Sequence, residues 1–247
     1  MKGIILAGGT GSRLFPLTKC INKHLLPVGN KPMAQWAIEK LVDAGIKDIL
    51  IVSGQEQCGS IIQQFGDGKE FDCDLTYKVQ SKAGGIAQAL ALAKKFVGND
   101  TMCVILGDNI FDMSLKGIPD TFKEGAMVFL KKVPDPQRYG VAEFVKKMSM
   151  YGNQVSIISI EEKPKNPKSD YAVTGIYCYD SKVFDIISTM KPSARGELEI
   201  TDVNNEYLKK NELLAYLMDD DAFWSDAGTF SSYAFVNKHF DGEKNEG

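Results

Sequence analysis

Histidine is scarce in this 247-residue chain: His24 and His239 are the only two. Histidine-rich zinc sites and most histidine-based nucleophilic triads are thereby excluded, so any metal is expected to be a hard cation on carboxylates, magnesium first. The five cysteines, Cys20, Cys58, Cys73, Cys103 and Cys178, are odd in number and scattered without a CxxC pair. This argues against a disulfide framework or a thiolate metal site and for a reducing, cytoplasmic compartment. A basic excess is missing too. The net charge of −3 offers no general attraction to nucleic acid or anionic membranes, and a small-molecule partner is expected instead. No apolar run is long enough to span a bilayer, and Ile4 to Ala7, after Met1 and Lys2, is too brief for a signal-peptide core. No Pro/Gly/Ser-rich linker, repeat or low-complexity tract divides the chain. Residues 1–240 therefore read as one domain of two lobes meeting near residue 110, with 241–247 as a flexible polar tail.

What is present is core material, at 44% hydrophobic residues, arranged in short β-branched runs that alternate with helical patterns. Strands are expected at Gly3 to Ala7, Asp48 to Ser53, Leu75 to Val79 and Met102 to Leu106. Their alternation with helices predicts an α/β fold on an open, mostly parallel Rossmann-like sheet. Pro32 is read as the first residue of a helix whose stripe is Met33, Trp36, Ala37, Leu41 and Ala44 and whose stop is Gly45. Gly84 to Phe96 reads as another crossover. The second half reads as a mixed-sheet lobe, with strands at Ala126 to Lys131, Val141 to Val145, Val155 to Ile160 and Ala172 to Tyr179 and helices after Ser181 and from Glu199.

Directly after the first strand comes Leu6, Ala7, Gly8, Gly9, Thr10, Gly11, Ser12, Arg13. Glycines let such a turn fold tightly and point backbone N–H groups inward, which makes a phosphate cradle; the alternative is a plain strand-to-loop turn. The loop fails GxGxxG, because Leu14 stands where the third glycine belongs, and it fails GxxxxGK[ST] for want of a lysine. A nicotinamide dehydrogenase is therefore disfavoured. Arg13 and Lys23 favour phosphate, the first by forked contacts and the second as a point charge.

LAGGTGSRLFPLT followed by NKHLLPVGNKP resembles the signature loop of the sugar nucleotidyltransferases, in their short form, and within them the enzymes that join dTTP to glucose 1-phosphate. LGDN (Leu106 to Asn109), RYGV (Arg138 to Val141), EEKP (Glu161 to Pro164), YAVTGIY (Tyr171 to Tyr177) and RGELEITDVN (Arg195 to Asn204) extend the likeness along nearly the whole chain. The resemblance implies a nucleotide-binding part at about 1–110 and a sugar-binding part at about 111–240. It places the nucleotide on the loop from Leu6 to Ser12, with Gln80 and Gly85 toward the base and Asp108 toward the phosphates. It also implies Mg²⁺ on Asp108 and Asp226. Read without it, Asp108 is an Asx turn with Asn109 and Asp226 a helix N-cap in a polar turn. The run Asp219 to Asp221 is read as a solvated turn outside the site.

For the sugar phosphate, the resemblance implies Asn109, Tyr139, Gly140, Glu161, Lys163, Val173, Gly175, Tyr177 and Arg195, with Lys163 and Arg195 on the phosphate and Glu161 on sugar hydroxyls. Without it, the Glu-Glu-Lys-Pro run is a surface turn. Two departures stand out: Gly84 occupies the place of the usual aspartate, and Ala227 that of the usual threonine. The implied reaction is a single in-line displacement with Arg13, Lys23, Lys163 and Arg195 as its cations, the first step toward deoxysugars such as rhamnose. Uridylyl or cytidylyl transfer and a non-catalytic sugar-nucleotide sensor stay open as alternatives. No nucleic-acid or membrane partner is expected, and a homo-oligomer is expected by analogy.

Overall fold

A computed structural model describes residues 1–149 and 152–243. Its first half comprises β1 (Lys2–Ala7), the short strands β2 (Pro27–Val28) and β3 (Lys31–Pro32), α1 (Met33–Asp43), β4 (Asp48–Gly54), α2 (Cys58–Phe65), β5 (Asp74–Gln80), α3 (Ile86–Ala91), α4 (Lys94–Val97) and β6 (Met102–Leu106). The second half comprises β7 (Asn109–Phe111), α5 (Ile118–Thr121), β8 (Ala126–Lys132), β9 (Gly140–Ser149), β10 (Gly152–Glu162), β11 (Tyr171–Tyr179), α6 (Val183–Thr189), α7 (Ile200–Lys209), β12 (Leu213–Leu217), β13 (Trp224–Asp226) and α8 (Phe230–Glu243). Part of the expected tail thus belongs to α8, and 244–247 lie outside the described residues.

Alternation along the central strands decides the layers. Ile4, Leu6, Leu50, Val52 and Val104 face one core with α3, α6 and α7, while Ile5, Ile49, Ile51, Cys103 and Ile105 face the other with α1 and α2. Each fully buried Ile or Leu contributes roughly 1.5–3 kcal/mol of transfer free energy, so a sheet covered on both faces holds itself together by burial.

The main sheet runs β10-β9-β11-β6-β1-β4-β5, with β8 beside β11 and β12 beside β8. β6, β1, β4 and β5 are parallel. The chain leaves β1 toward β4 and β5 and returns on the opposite side to β6, so the strand order reverses between β1 and β6. The carboxyl ends at such a reversal form the crevice where open α/β sheets bind ligands. Here those ends are the glycine loop and Asp108, drawn together as the Gly107 N–H donates to Leu6 O at 3.0 Å.

Two local expectations shift. Pro32 stands at the N-cap of α1, because it closes the β2–β3 hairpin and the next N–H, that of Met33, donates to Leu26 O. The crossover from Gly84 is two short helices separated by tight turns in which Leu92 and Ala93 donate to Ala89 and Leu90. The types of residue there do not explain the break.

Candidate active site

β11 creates a gap in the sheet. Ala172 and Val173 pair with β9, whereas Ile176 to Tyr179 pair with β6, so Thr174 and Gly175 sit where the two neighbours part. The Asn109 side chain fills that gap: its Oδ1 accepts the Gly175 N–H and the Trp224 indole N–H, each at 2.9 Å, and its Nδ2 donates to Asp108 Oδ1 at 3.1 Å. A Cβ on Gly175 would lie 2.5 Å from Asn109 Nδ2, so the close approach that glycine permits is to Asn109.

Two open cavities flank Asp108. The first, about 310 Å³, is lined by Leu6, Gly8, Gly9, Arg13, Lys23, His24, Gln80, Gly85 and Glu197 among others. The second, about 190 Å³, is lined by residues that include Asn109, Arg138, Tyr139, Gly140, Glu162, Lys163, Val173, Gly175, Tyr177, Arg195 and Asp226. Arg13, Asp108, Ile86, Leu106 and Glu197 belong to both, so the cavities meet there.

Asp226 reaches this meeting point through β13, which pairs antiparallel with β7 and sets Asp226 opposite Asn109. The Ala227 N–H donates to Asp108 O at 2.7 Å and pins the two segments. A Cβ on Gly228 would lie 3.1 Å from Arg13 Nη2, 3.3 Å from Asp108 Oδ2 and 3.4 Å from Asp226 Oδ2, so both carboxylates and the guanidinium border one small space. Asp226 is the end of a strand, not a turn or an N-cap: it pairs with Asn109 of β7, and the ladder bond beside it runs from the Ala227 N–H.

The Lys23 ammonium donates to Asp108 Oδ2 at 2.5 Å, and both side chains are nearly buried. Burial pushes the Asp108 carboxyl up, but Lys23 and the Asn109 amide outweigh it and hold the group well below the usual carboxylate range. On the other side, the Tyr139 hydroxyl donates to Asp226 Oδ1 at 3.0 Å and Arg138 Nη2 donates to it at 3.1 Å. Burial and then Asp226 push the Tyr139 phenol up, so it remains a donor. Arg13 forms no ion pair with any described residue and is left to meet an anion.

The nucleotidyl transferase family model matches residues 2–242. The chain belongs to this family. Among nucleotidyl transferases it is 43% identical to a glucose-1-phosphate thymidylyltransferase of Neisseria meningitidis serogroup A over 94% of this chain and 80% of the relative. It is 44% identical to that of Xanthomonas campestris pv. campestris over 94% of this chain and 77% of the relative. A crystal structure assigned as the Bacillus anthracis enzyme, in complex with a sucrose, is 55% identical with a TM-score of 0.88, covering 97% of this chain and 95% of its own. A UDP-glucose pyrophosphorylase complexed with UDP-glucose has the same TM-score of 0.88 at 25% identity, with 98% of each chain covered.

Set on this nucleotidyl transferase fold, the expected residues divide into three groups. Leu6, Gly8, Gly9, Arg13, Lys23, Gln80, Gly85, Asp108, Asn109, Tyr139, Gly140, Lys163, Val173, Gly175, Tyr177, Arg195 and Asp226 all line the joined cavities. Thr10 and Ser12 face a neighbouring cavity instead, Ala7 is buried in the core, and Gly11 packs on Thr18 and Lys23. Glu161 is displaced altogether. It is exposed, and the carboxylate in the second cavity is Glu162, which accepts from Thr201 Oγ1 at 2.6 Å.

Residue by residue, some partners differ from the expected ones. Arg195 donates to Glu199 at 2.8 to 3.0 Å, so its guanidinium is braced by a carboxylate. Gly85, at φ +99°, avoids Leu198, whose O would lie 2.5 Å from a Cβ. The sequence reading missed Arg138, Glu162, Glu197, Glu199 and Thr201, although all lie within the quoted motifs, and Gly228, which follows Ala227. It also missed His24, whose neighbour Asn22 was the available sign: Asn22 Oδ1 lies 2.9 Å from His24 Nδ1.

Proposed function

We propose that this chain is a glucose-1-phosphate thymidylyltransferase, joining dTTP and glucose 1-phosphate into dTDP-glucose and pyrophosphate. The observation that carries the reading is the convergence of Arg13, Asp108 and Asp226 around Gly228, where the two cavities meet. One cavity takes the nucleotide along the glycine loop and the other takes the sugar phosphate. The names of the relatives support these substrates, and five free cysteines suit a cytoplasmic enzyme that feeds deoxysugar synthesis.

Nucleotidyltransferases of this family generally use a divalent metal. The residues here fit one. Asp108 and Asp226 offer hard oxygen donors facing one space, and no third acidic, His or Cys ligand joins them among the described residues. Mg²⁺ prefers such a site, completing its shell with water and substrate phosphates. Charge also calls for it: Arg13, Lys23, Arg138, Lys163 and Arg195 are matched by Asp108, Glu162, Glu197, Glu199 and Asp226, which leaves no net positive charge for two anionic substrates. Bound there, the metal would neutralise and align phosphate oxygens.

The chemistry asked of the chain is positioning. An oxygen of the sugar phosphate attacks the α-phosphorus in line, the bond to the bridging oxygen breaks, and pyrophosphate leaves with that electron pair. The phosphate monoester is already anionic, so no general base is required. Arg13 is placed to receive charge on the pyrophosphate, Lys23 to hold the triphosphate, and Lys163 to hold the sugar phosphate. Arg195 fixes Glu199 and gives its remaining edge to the sugar-side cavity.

A panel of nucleoside triphosphates against sugar 1-phosphates, scored by pyrophosphate released, tests the reading. The fastest release is expected from dTTP with glucose 1-phosphate, and only with Mg²⁺ present. dUTP, which differs from dTTP by one methyl group alone, should trail by only a few-fold, since one buried methyl group is worth about 0.8 kcal/mol. Release from no pair at all would overturn the proposal. Light scattering after size exclusion tests the expected homo-oligomer.

A further inference from the structure

Most carboxylates of the joined cavities are committed. Asp108 accepts from Lys23, Asp226 from Arg138 and Tyr139, Glu162 from Thr201, and Glu199 from Arg195 and Ser193. Glu197 lines both cavities, and its nearest cation, Arg195 Nη2, stands 3.6 Å away, beyond hydrogen-bond distance. Its carboxylate has acceptor capacity to spare where two ligands would adjoin.

The backbone that carries this half-exposed side chain is itself held in place. The Ser193 N–H donates to Glu197 O at 2.8 Å, the Leu198 N–H donates to Gly84 O at 2.8 Å, and Leu198 O accepts from the Ala87 N–H at 3.2 Å. This strap from the second half of the chain lies across the start of α3, so close that a Cβ on Gly85 would be 3.1 Å from Glu197 Cβ.

A carboxylate repels phosphate and attracts hydroxyl donors. Under the nucleotidyl-transfer reading, on which this inference rests, Gln80 and Gly85 mark the base end of the first cavity and Arg13 and Asp108 its phosphate end. Between base and phosphates a nucleotide carries its pentose. In a 2′-deoxynucleotide esterified at the 5′ position, the one free pentose hydroxyl is at 3′. We infer that Glu197 is a specificity-determining residue for the pentose, its carboxylate accepting a hydrogen bond from the 3′-hydroxyl of the nucleoside triphosphate.

The test compares dTTP with 3′-deoxythymidine triphosphate, at saturating glucose 1-phosphate and Mg²⁺, for wild type, Glu197→Gln and Glu197→Ala, reading kcat/KM from pyrophosphate release. Wild type should favour dTTP by roughly tenfold or more, the range of a hydrogen bond to a charged group. Glu197→Ala should lose about tenfold with dTTP and little with the 3′-deoxy analogue, so that the ratio falls toward one, and Glu197→Gln should keep part of it. An equal loss on both nucleotides would mean that Glu197 only braces the strap, and would overturn the inference. So would an unchanged ratio, or a variant whose preference shifts only among sugar phosphates, or a wild type indifferent to the 3′-hydroxyl. If wild type joins no nucleotide at all, the nucleotidyl-transfer reading itself has failed, a result that active enzyme with an unmoved ratio cannot mimic.

Discussion

Lys163 is held at φ +46°, a left-handed conformation that costs an ordinary L-residue about 1–2 kcal/mol. Asp72 and Asn211 share a positive φ, but their types tolerate it and neither lines the joined cavities. The Lys163 N–H, donating to Tyr139 O at 2.9 Å, keeps the turn in place. The strain therefore coincides with a cation in the sugar-side cavity, as function-bearing strain does. Lys163→Asn should leave stability to urea unchanged or raise it by about 1 kcal/mol or less, while kcat/KM falls at least about a hundredfold. A destabilised variant would show that the lysine side chain supports the fold. His24 gives a pH prediction. Burial, and then Lys23, hold its pKa down to about 3 from an ordinary value of 6.5. Between those values the unfolded chain binds a proton that the native chain refuses, so stability is complete above pH 6.5 and is lost as pH falls toward 3. The loss is roughly 1.4 kcal/mol per pH unit at its steepest. Urea midpoints measured from pH 7 to 4 should show that slope, and His24→Gln should flatten it.

At the scale of elements, the phase of a strand decides which of two adjacent glutamates does the work. β10 shifts register against β9 between Ile157 and Ser159. Ile157 and Ile160, three apart, therefore both pack on the same core, which strict alternation forbids. Beyond the shift Glu162 points inward and Glu161 outward, and a bulge leaves no mark in the composition that a period-two reading detects. The glycine loop was legible because glycine identity itself encodes a tight turn, and the four parallel strands because their β-branched runs are buried on both faces. β7 and β13 were not legible: each is three residues long, and their pairing joins segments far apart in the chain. That pairing is what makes Gly228 matter. Its backbone is not left-handed, so Gly228→Ala is tolerable in conformation, but the new methyl would press on Arg13, Asp108 and Asp226. Thermal stability should move by about 1 kcal/mol or less. Turnover should fall at least about tenfold and need more Mg²⁺ for half-maximal rate. Unaltered Mg²⁺ dependence would count against a metal between the two aspartates.

Across the whole molecule, nothing in the hydrogen bonding separates a nucleotide half from a sugar half. β6 of the first half pairs with β11 of the second over four residue pairs, and the Leu198 strap ties to Gly84 and Ala87. One core contains Ile4 and Leu50 from early strands together with Tyr177, Tyr179 and Tyr207 from late elements. Removing either half would expose the apolar face of the other, so the chain should unfold as one cooperative unit. Its two tryptophans report on different ends: Trp36 of α1 packs against Phe240 with the rings tilted, while buried Trp224 donates to Asn109 at the candidate active site. In Trp36→Phe the fluorescence follows Trp224, and in Trp224→Phe it follows Trp36. Within each variant the fluorescence midpoint in urea should match that of far-ultraviolet circular dichroism. If the signal from Trp224 melts well before the dichroism does, the sugar side is a separable unit, and the single shared core is not what binds the two lobes into one.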